Sequence, residues 1–173
     1  MQNKSLLTYL ACAILLAACA FFIASNASPT WGTLTINAVK TSSGLWQSCM
    51  GGRCDAIPNS CSKLVGMAKS SCDKVLATRA FITMACITSA IGFICLLALA
   101  AFIKNSQTLC YVCVALAVLS FIFGLIGFSL GVDRYVTKPF KIGAAAICGL
   151  IGWILSLASA VCSILIIKST QPA

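Results

Sequence analysis

Histidine and glutamate are absent from the 173-residue chain, and its three carboxylates are Asp55, Asp73 and Asp133. General acid-base and nucleophilic chemistry draws on these residue types placed together in a pocket. With three scattered aspartates, no catalytic site is expected. Charge is scarce as well, at 9% of residues against about 25% in soluble domains. Long polar stretches are missing, so no large water-soluble domain fits. What remains is 60% hydrophobic, with a mean hydropathy of +1.02, a composition whose natural solvent is a bilayer.

A bilayer core about 30 Å thick needs about 20 apolar residues per helix. Four runs meet this length, at residues 6–25, 80–103, 108–132 and 143–167. The first follows the single charge of Lys4, as a secretion signal would. Its apolar core is longer than a signal's, so it is expected to stay as a span. None of the four runs carries Asp, Lys or Arg in its interior, whereas transporters and proton relays place charge there. The expected architecture is a single four-span membrane domain.

The connections are unequal. Residues 26–79 form one long loop, residues 104–107 a tight turn, and residues 133–142 a short link. The ends, residues 1–5 and 168–173, leave little room for recognition, and Gln171-Pro172-Ala173 offers no hydrophobic C-terminal side chain to a scaffold. Function is expected in the long loop.

That loop contains Cys49, Cys54, Cys61 and Cys72, an even number in a segment too small to bury much core alone. Disulfides, and therefore an oxidising side, are the economical reading. Free thiols or metal ligation are the alternative, without the His or clustered carboxylates that metal sites favour. Of three possible pairings, Cys49 with Cys54 and Cys61 with Cys72 close most locally. A Cys61–Cys72 bond excludes a continuous helix between them. Eleven residues would separate the Cα atoms by about 16 Å at a rise of 1.5 Å, and a disulfide tolerates about 7 Å. The chain must then fold back near Gly66.

Residues 31–39 alternate, Leu34, Ile36 and Ala38 against Thr33, Thr35 and Asn37, predicting one half-buried strand. A second strand over residues 45–50 turns at Gly51-Gly52 and returns over residues 53–57, placing Cys49 opposite Cys54. Residues 60–79 read as helical or irregular.

An exterior long loop puts both termini in the cytoplasm. The positive-inside count favours the opposite orientation, with Lys4, Lys104 and Lys168 on one side against Lys63, Lys69, Lys74, Arg134, Lys138 and Lys141 on the other. Disulfides decide the matter here, because a reducing cytosol does not sustain them.

Trp31, then Gly44-Leu45-Trp46, then Cys49 and Cys54, all after the first of four spans, resemble the signature of the claudin, peripheral myelin protein and epithelial membrane protein superfamily. Arg79-Ala80-Phe81 resembles the arginine that opens the second span in claudins, and Gly152-Trp153 the family's fourth-span pair. The resemblance covers the whole chain in topology and about nine residues in detail. The short interval from Cys49 to Cys54 is closer to epithelial membrane proteins, and Cys61 and Cys72 are additions to the signature. The resemblance implies a left-handed four-helix transmembrane bundle carrying a small extracellular antiparallel sheet, in the plasma membrane. Trp31 and Trp46 would anchor that sheet at the headgroup boundary.

The implied role is cell-cell contact or a paracellular barrier or channel. The alternatives are an auxiliary subunit of an ion channel or receptor, or a peripheral-myelin-protein-like membrane organiser. Expected partners are membrane lipid and other membrane proteins, copies of the chain included. No cofactor, metal, nucleic acid or small-molecule substrate is expected.

A tetraspanin would carry its cysteine-rich loop between the third and fourth spans, here ten residues long, and a connexin would need cysteines in residues 133–142. The long loop has six cations against Asp55 and Asp73, a net of +4, and the short link three against Asp133, a net of +2. A paracellular path lined by them would favour anions.

Weaker features complete the reading. Gly124, Gly127 and Gly131, with Gly149 and Gly152, suit close helix packing within the bundle, with a homo-oligomer seam as the alternative. Cys110, Cys113 and Cys162 are candidate palmitoylation sites or apolar filler. Asn26-Ala27-Ser28 is a formal glycosylation sequon, expected to stay unmodified because it abuts the membrane.

Overall fold

The computed structural model describes residues 2–36, 39–102, 106–135 and 140–168, with side chains from Ser5 onward and excluding those of Ile36 and Tyr135. Lys4, Lys104 and Lys138 in the charge count, Asn37 and Ala38 in the strand pattern, and the terminal Gln171-Pro172-Ala173 lie outside these described side chains.

Four helices dominate: α1 (Gln2–Ala27), α2 (Gly66–Ala101), α3 (Gln107–Tyr135) and α4 (Ala144–Lys168). Among the described residues, these four are long and apolar enough to cross a membrane. They stand in a ring in which α1 packs on α2 and α4, and α3 on α2 and α4. The buried positions recur at alternating steps of three and four. In α1 they include Thr8, Ala11, Leu15, Ala18, Phe22 and Ser25; in α2, Val75, Thr78, Ile82, Ala85, Ser89, Gly92, Leu96 and Leu99. The same rhythm runs through Cys113, Ala117, Ser120, Gly124, Gly127 and Gly131 of α3 and Gly149, Gly152, Ser156, Ser159, Ser163 and Ile166 of α4. A mean period of 3.5 keeps one seam of each helix facing its neighbours over the whole length.

Most seam residues are small, which lets the helices approach closely. The hydroxyls among them tie helix to helix. Ser159 Oγ donates to the Ala11 carbonyl at 3.0 Å, and Ser120 Oγ to that of Ala85 at 3.2 Å. Ser120 and Ser156 share a further hydrogen bond at 3.1 Å. All four helices are joined through these seryl groups. Because α1 supplies Ala11, Leu15, Ala18 and Phe22 to the core at 0% exposure, the bundle would be open without it.

Helix α2 has 36 residues, about 54 Å at 1.5 Å each, well beyond the about 30 Å of a bilayer core. It begins at Gly66, whose φ of +62° suits glycine, and not near Ala80 where the apolar run starts. The seam residues Val75, Thr78 and Ile82 carry the helix across that compositional boundary.

At this end lies a five-stranded sheet in the order β4-β3-β2-β1-β5. Its strands are β1 (Gly32–Ile36), β2 (Val39–Ser43), β3 (Gln47–Met50), β4 (Arg53–Ala56) and β5 (Lys141–Ile142). The single strand expected over residues 31–39 is corrected: Ile36 pairs with Val39, so the chain reverses between them and continues as β2. The alternation of the sequence runs on through Asn37 and Ala38, although the pairing puts even positions of β1 opposite odd positions of β2. The link at residues 133–142 also does more than connect, because Lys141 and Ile142 pair with Thr33 and Gly32.

Candidate functional site

The sheet is fixed to the bundle by the residues singled out in the sequence. Trp31 is fully buried and donates its indole N–H to the Ser25 carbonyl at 2.8 Å. It packs in a junction core with Leu45, Val75, Ile82, Ala145 and Ala146. The expected headgroup-boundary role of Trp31 is therefore corrected: its ring lies inside the protein. Gly131 makes room for it, since a Cβ there would overlap the ring. Gly44 is needed for a similar reason, because a Cβ would meet the backbone of Ser28 and Pro29. The Trp31 carbonyl accepts from Gly143 N at 2.9 Å and that of Thr30 from Ala145 N at 3.1 Å, joining the start of α4 to the same point.

Arg79 is the second anchor. Its side chain is 4% exposed and reaches from α2 into the loop backbone. Nε donates to the Leu45 carbonyl, Nη1 to Asn59 Oδ1 at 2.9 Å, and Nη2 to the Ile57 carbonyl at 3.3 Å. The guanidinium carbon lies 4.8 Å from the centre of the Trp46 ring, a cation-π contact. Trp46 is 46% exposed and donates Nε1–H to Asn26 Oδ1 at 2.8 Å. Asn26 in turn donates Nδ2–H to Thr83 Oγ1 at 3.0 Å. The sequon nitrogen is thus engaged between two elements.

Two disulfides close the loop. Cys49 and Cys54 face each other in the β3–β4 register, Cα atoms 4.0 Å apart. The hairpin turns at Gly51 and Gly52, both with positive φ. Cys61 bonds Cys72 with Cα atoms 5.9 Å apart, the non-helical residues before Gly66 folding back onto α2. Strand β4 is exposed along its length and, among the described residues, forms a free sheet edge. Near the hairpin tip, Met50 and Val39 present apolar surface beside the exposed Lys40 and Arg53. Lys74 on α2 pairs with Asp133 on α3.

The remaining sequence candidates fall inside the bundle. Cys110 and Cys113 belong to its core, at 8% and 1% exposure, and Cys162 is half-buried against the same cluster. Burial of Cys110 and Cys113 suits the apolar-filler alternative, in which cysteine packs as a small hydrophobe. The glycines receive large side chains: Gly124 and Gly152 adjoin Phe22, Gly127 adjoins Ile82, and Gly149 adjoins Ser25 and Trp31. Among the described residues no group of His, Cys, Asp or Glu is placed to hold a metal ion.

In comparison with known proteins, no family model matches the chain and no curated protein matches it.

Proposed function

We propose that the chain is a claudin-like, four-span protein of the plasma membrane. Both termini are cytoplasmic, and the disulfide-bonded sheet stands outside the cell as the surface that meets other membrane proteins in cell-cell contacts. The observation that carries this reading is the anchored sheet: a small β platform, closed by Cys49–Cys54 and Cys61–Cys72 and pinned by Trp31 and Arg79, with its β4 edge unpaired. Unpaired strand edges present backbone donors and acceptors to a further chain. Disulfides persist on the oxidising side of a membrane, which supports the exterior placement. The alternating three-and-four seam of all four helices supports a left-handed bundle. The joint occurrence of Trp31, Gly44-Leu45-Trp46, Cys49 and Cys54 in the loop after the first helix, with Arg79 in the second helix, supports the superfamily.

The test is the company the protein keeps. Mild-detergent affinity purification from an epithelial monolayer, followed by mass spectrometry, should recover the chain with copies of itself or with junctional membrane proteins. Dilution potentials across the same monolayer should shift toward anions, because the outer segments carry net positive charge. Recovery of one large channel or receptor in fixed ratio, with unchanged dilution potentials, would establish the auxiliary-subunit reading in its place.

A further inference from the structure

Strand β4 is four residues long, Arg53-Cys54-Asp55-Ala56, and all four are exposed. It pairs with β3 on one side, and among the described residues no strand lies on its other side. The phase of the pairing decides which backbone groups are left over. Just past the strand, Ile57 N–H donates to the Trp46 carbonyl at 2.8 Å. Opposed residues of an antiparallel pair alternate between hydrogen-bonded and non-hydrogen-bonded. With Met50 opposite Arg53, Cys49 opposite Cys54, Ser48 opposite Asp55 and Gln47 opposite Ala56, Arg53 and Asp55 bond to β3 through their backbone. Cys54 and Ala56 turn their N–H and C=O groups toward the open side. The Cys49–Cys54 Cα separation of 4.0 Å fits a non-hydrogen-bonded pair, the closer of the two kinds. The side chains of Arg53 and Asp55 share the strand face opposite to that of the Cys54 sulfur, and among the described residues neither has an ion-pair partner.

We infer that the occupant of this edge is β4 of a second copy, antiparallel, on a two-fold axis at Cys54. The charge order selects it: cation, neutral residue, anion is its own complement when the strand is reversed. With Cys54 opposite the partner's Cys54, the two residues exchange backbone hydrogen bonds through the groups that face outward. Arg53 then lies directly opposite the partner's Asp55, once on each side of the axis. Opposite charges at such positions stabilise a strand pair and like charges destabilise it. A shift by one residue would set Cys54 against a residue whose backbone groups face β3. The next registers on either side would set Arg53 against Arg53 or Asp55 against Asp55. A two-fold pairing of this kind is closed, so the edge takes one further copy and no more. The inference names the partner within the contact role proposed above and rests on that reading.

The experiment is energy transfer between terminally labelled donor and acceptor copies of the full chain in phosphatidylcholine vesicles, read within one vesicle population and between two. The wild type should associate with itself. Arg53→Asp and Asp55→Arg each place two like-charged pairs across the axis, and each should weaken self-association about tenfold or more. Mixed together, the two variants should associate as tightly as the wild type, because every opposed pair is again of opposite sign. The double variant should do so alone. A hairpin that had merely lost its fold would not be rescued in this way. Self-association unchanged in both single variants, or no recovery in the mixture and the double variant, would overturn the inference. A wild type that fails to associate with itself yet recovers junctional proteins in the affinity purification would overturn this pairing alone. Recovery of no membrane protein there would remove the contact role itself, so the two failures are distinguishable.

Discussion

Trp31 is buried against Gly131: the indole occupies the space that any side chain at position 131 would need. One residue belongs to the loop and the other to α3, so this contact is where the sheet enters the bundle. Introducing a methyl group there, as Gly131→Ala, should cost about 1–3 kcal/mol through overpacking. Thermal unfolding in detergent checks it, with Ala115→Val, on an exposed face of α3, expected to leave the midpoint unchanged.

Arg79 joins α2 to the loop through three hydrogen bonds to Leu45, Ile57 and Asn59. Arg79→Met would leave those acceptors without their donor. Bonds to charged groups are worth about 1.5–3 kcal/mol each and their loss is not additive, so an overall cost of at least about 3 kcal/mol is expected. Hydrogen exchange should accelerate across residues 45–59 while the α1 and α4 amides keep their protection. Equal acceleration everywhere would mean that Arg79 supports the bundle as a whole.

The two disulfides should differ in worth. Chain-entropy arguments assign about 2 kcal/mol to the short Cys49–Cys54 closure and about 3 kcal/mol to Cys61–Cys72. Replacing Cys61 and Cys72 by serine should therefore lower stability more than replacing Cys49 and Cys54. The loosening should fall on the first turns of α2 rather than on the β3–β4 hairpin, as followed by peptide-level hydrogen exchange.

Ser120 distinguishes polar attachment from small size as the reason for its choice. Its hydroxyl bonds the Ala85 carbonyl and Ser156. Ser120→Ala should cost only about 0.6 kcal/mol, the usual value for an interhelical hydroxyl bond in a membrane. Ser120→Leu should cost about 1–3 kcal/mol by overfilling the seam. A large loss with alanine would assign the hydroxyl network the greater share. Unfolding curves of both variants in one detergent decide between them.

The four apolar helices were legible because hydropathy alone marks them, and the Gly51-Gly52 hairpin because glycine tolerates the turn. The sheet-side extension of α2 was hidden by composition: residues 66–79 mix charged and polar residues with apolar ones, and their helical signal is the spacing of Val75, Thr78, Ile82 and Ala85, which crosses the edge of the apolar run. The β1–β2 hairpin was hidden because the apolar-polar alternation of Leu34 and Ile36 continues in the sequence through Asn37 and Ala38, past the point where Ile36 pairs with Val39. Strand β5 is two residues long and acquires its identity from pairing with β1, a tertiary effect with no local pattern. Trp31 was singled out but assigned to a water-membrane boundary. Tryptophan suits both places, and only the complementary glycines on α3 and α4 distinguish them.

The central claim is that the sheet and its two disulfides face the cell exterior. Intact cells expressing the chain can be treated with a membrane-impermeant reductant and then a membrane-impermeant maleimide, and the labelled cysteines mapped by mass spectrometry. Labelling of Cys49, Cys54, Cys61 and Cys72, with Cys12 and Cys113 untouched, is the predicted result. Labelling of those four sulfurs only after permeabilisation, or without any reductant, would contradict it.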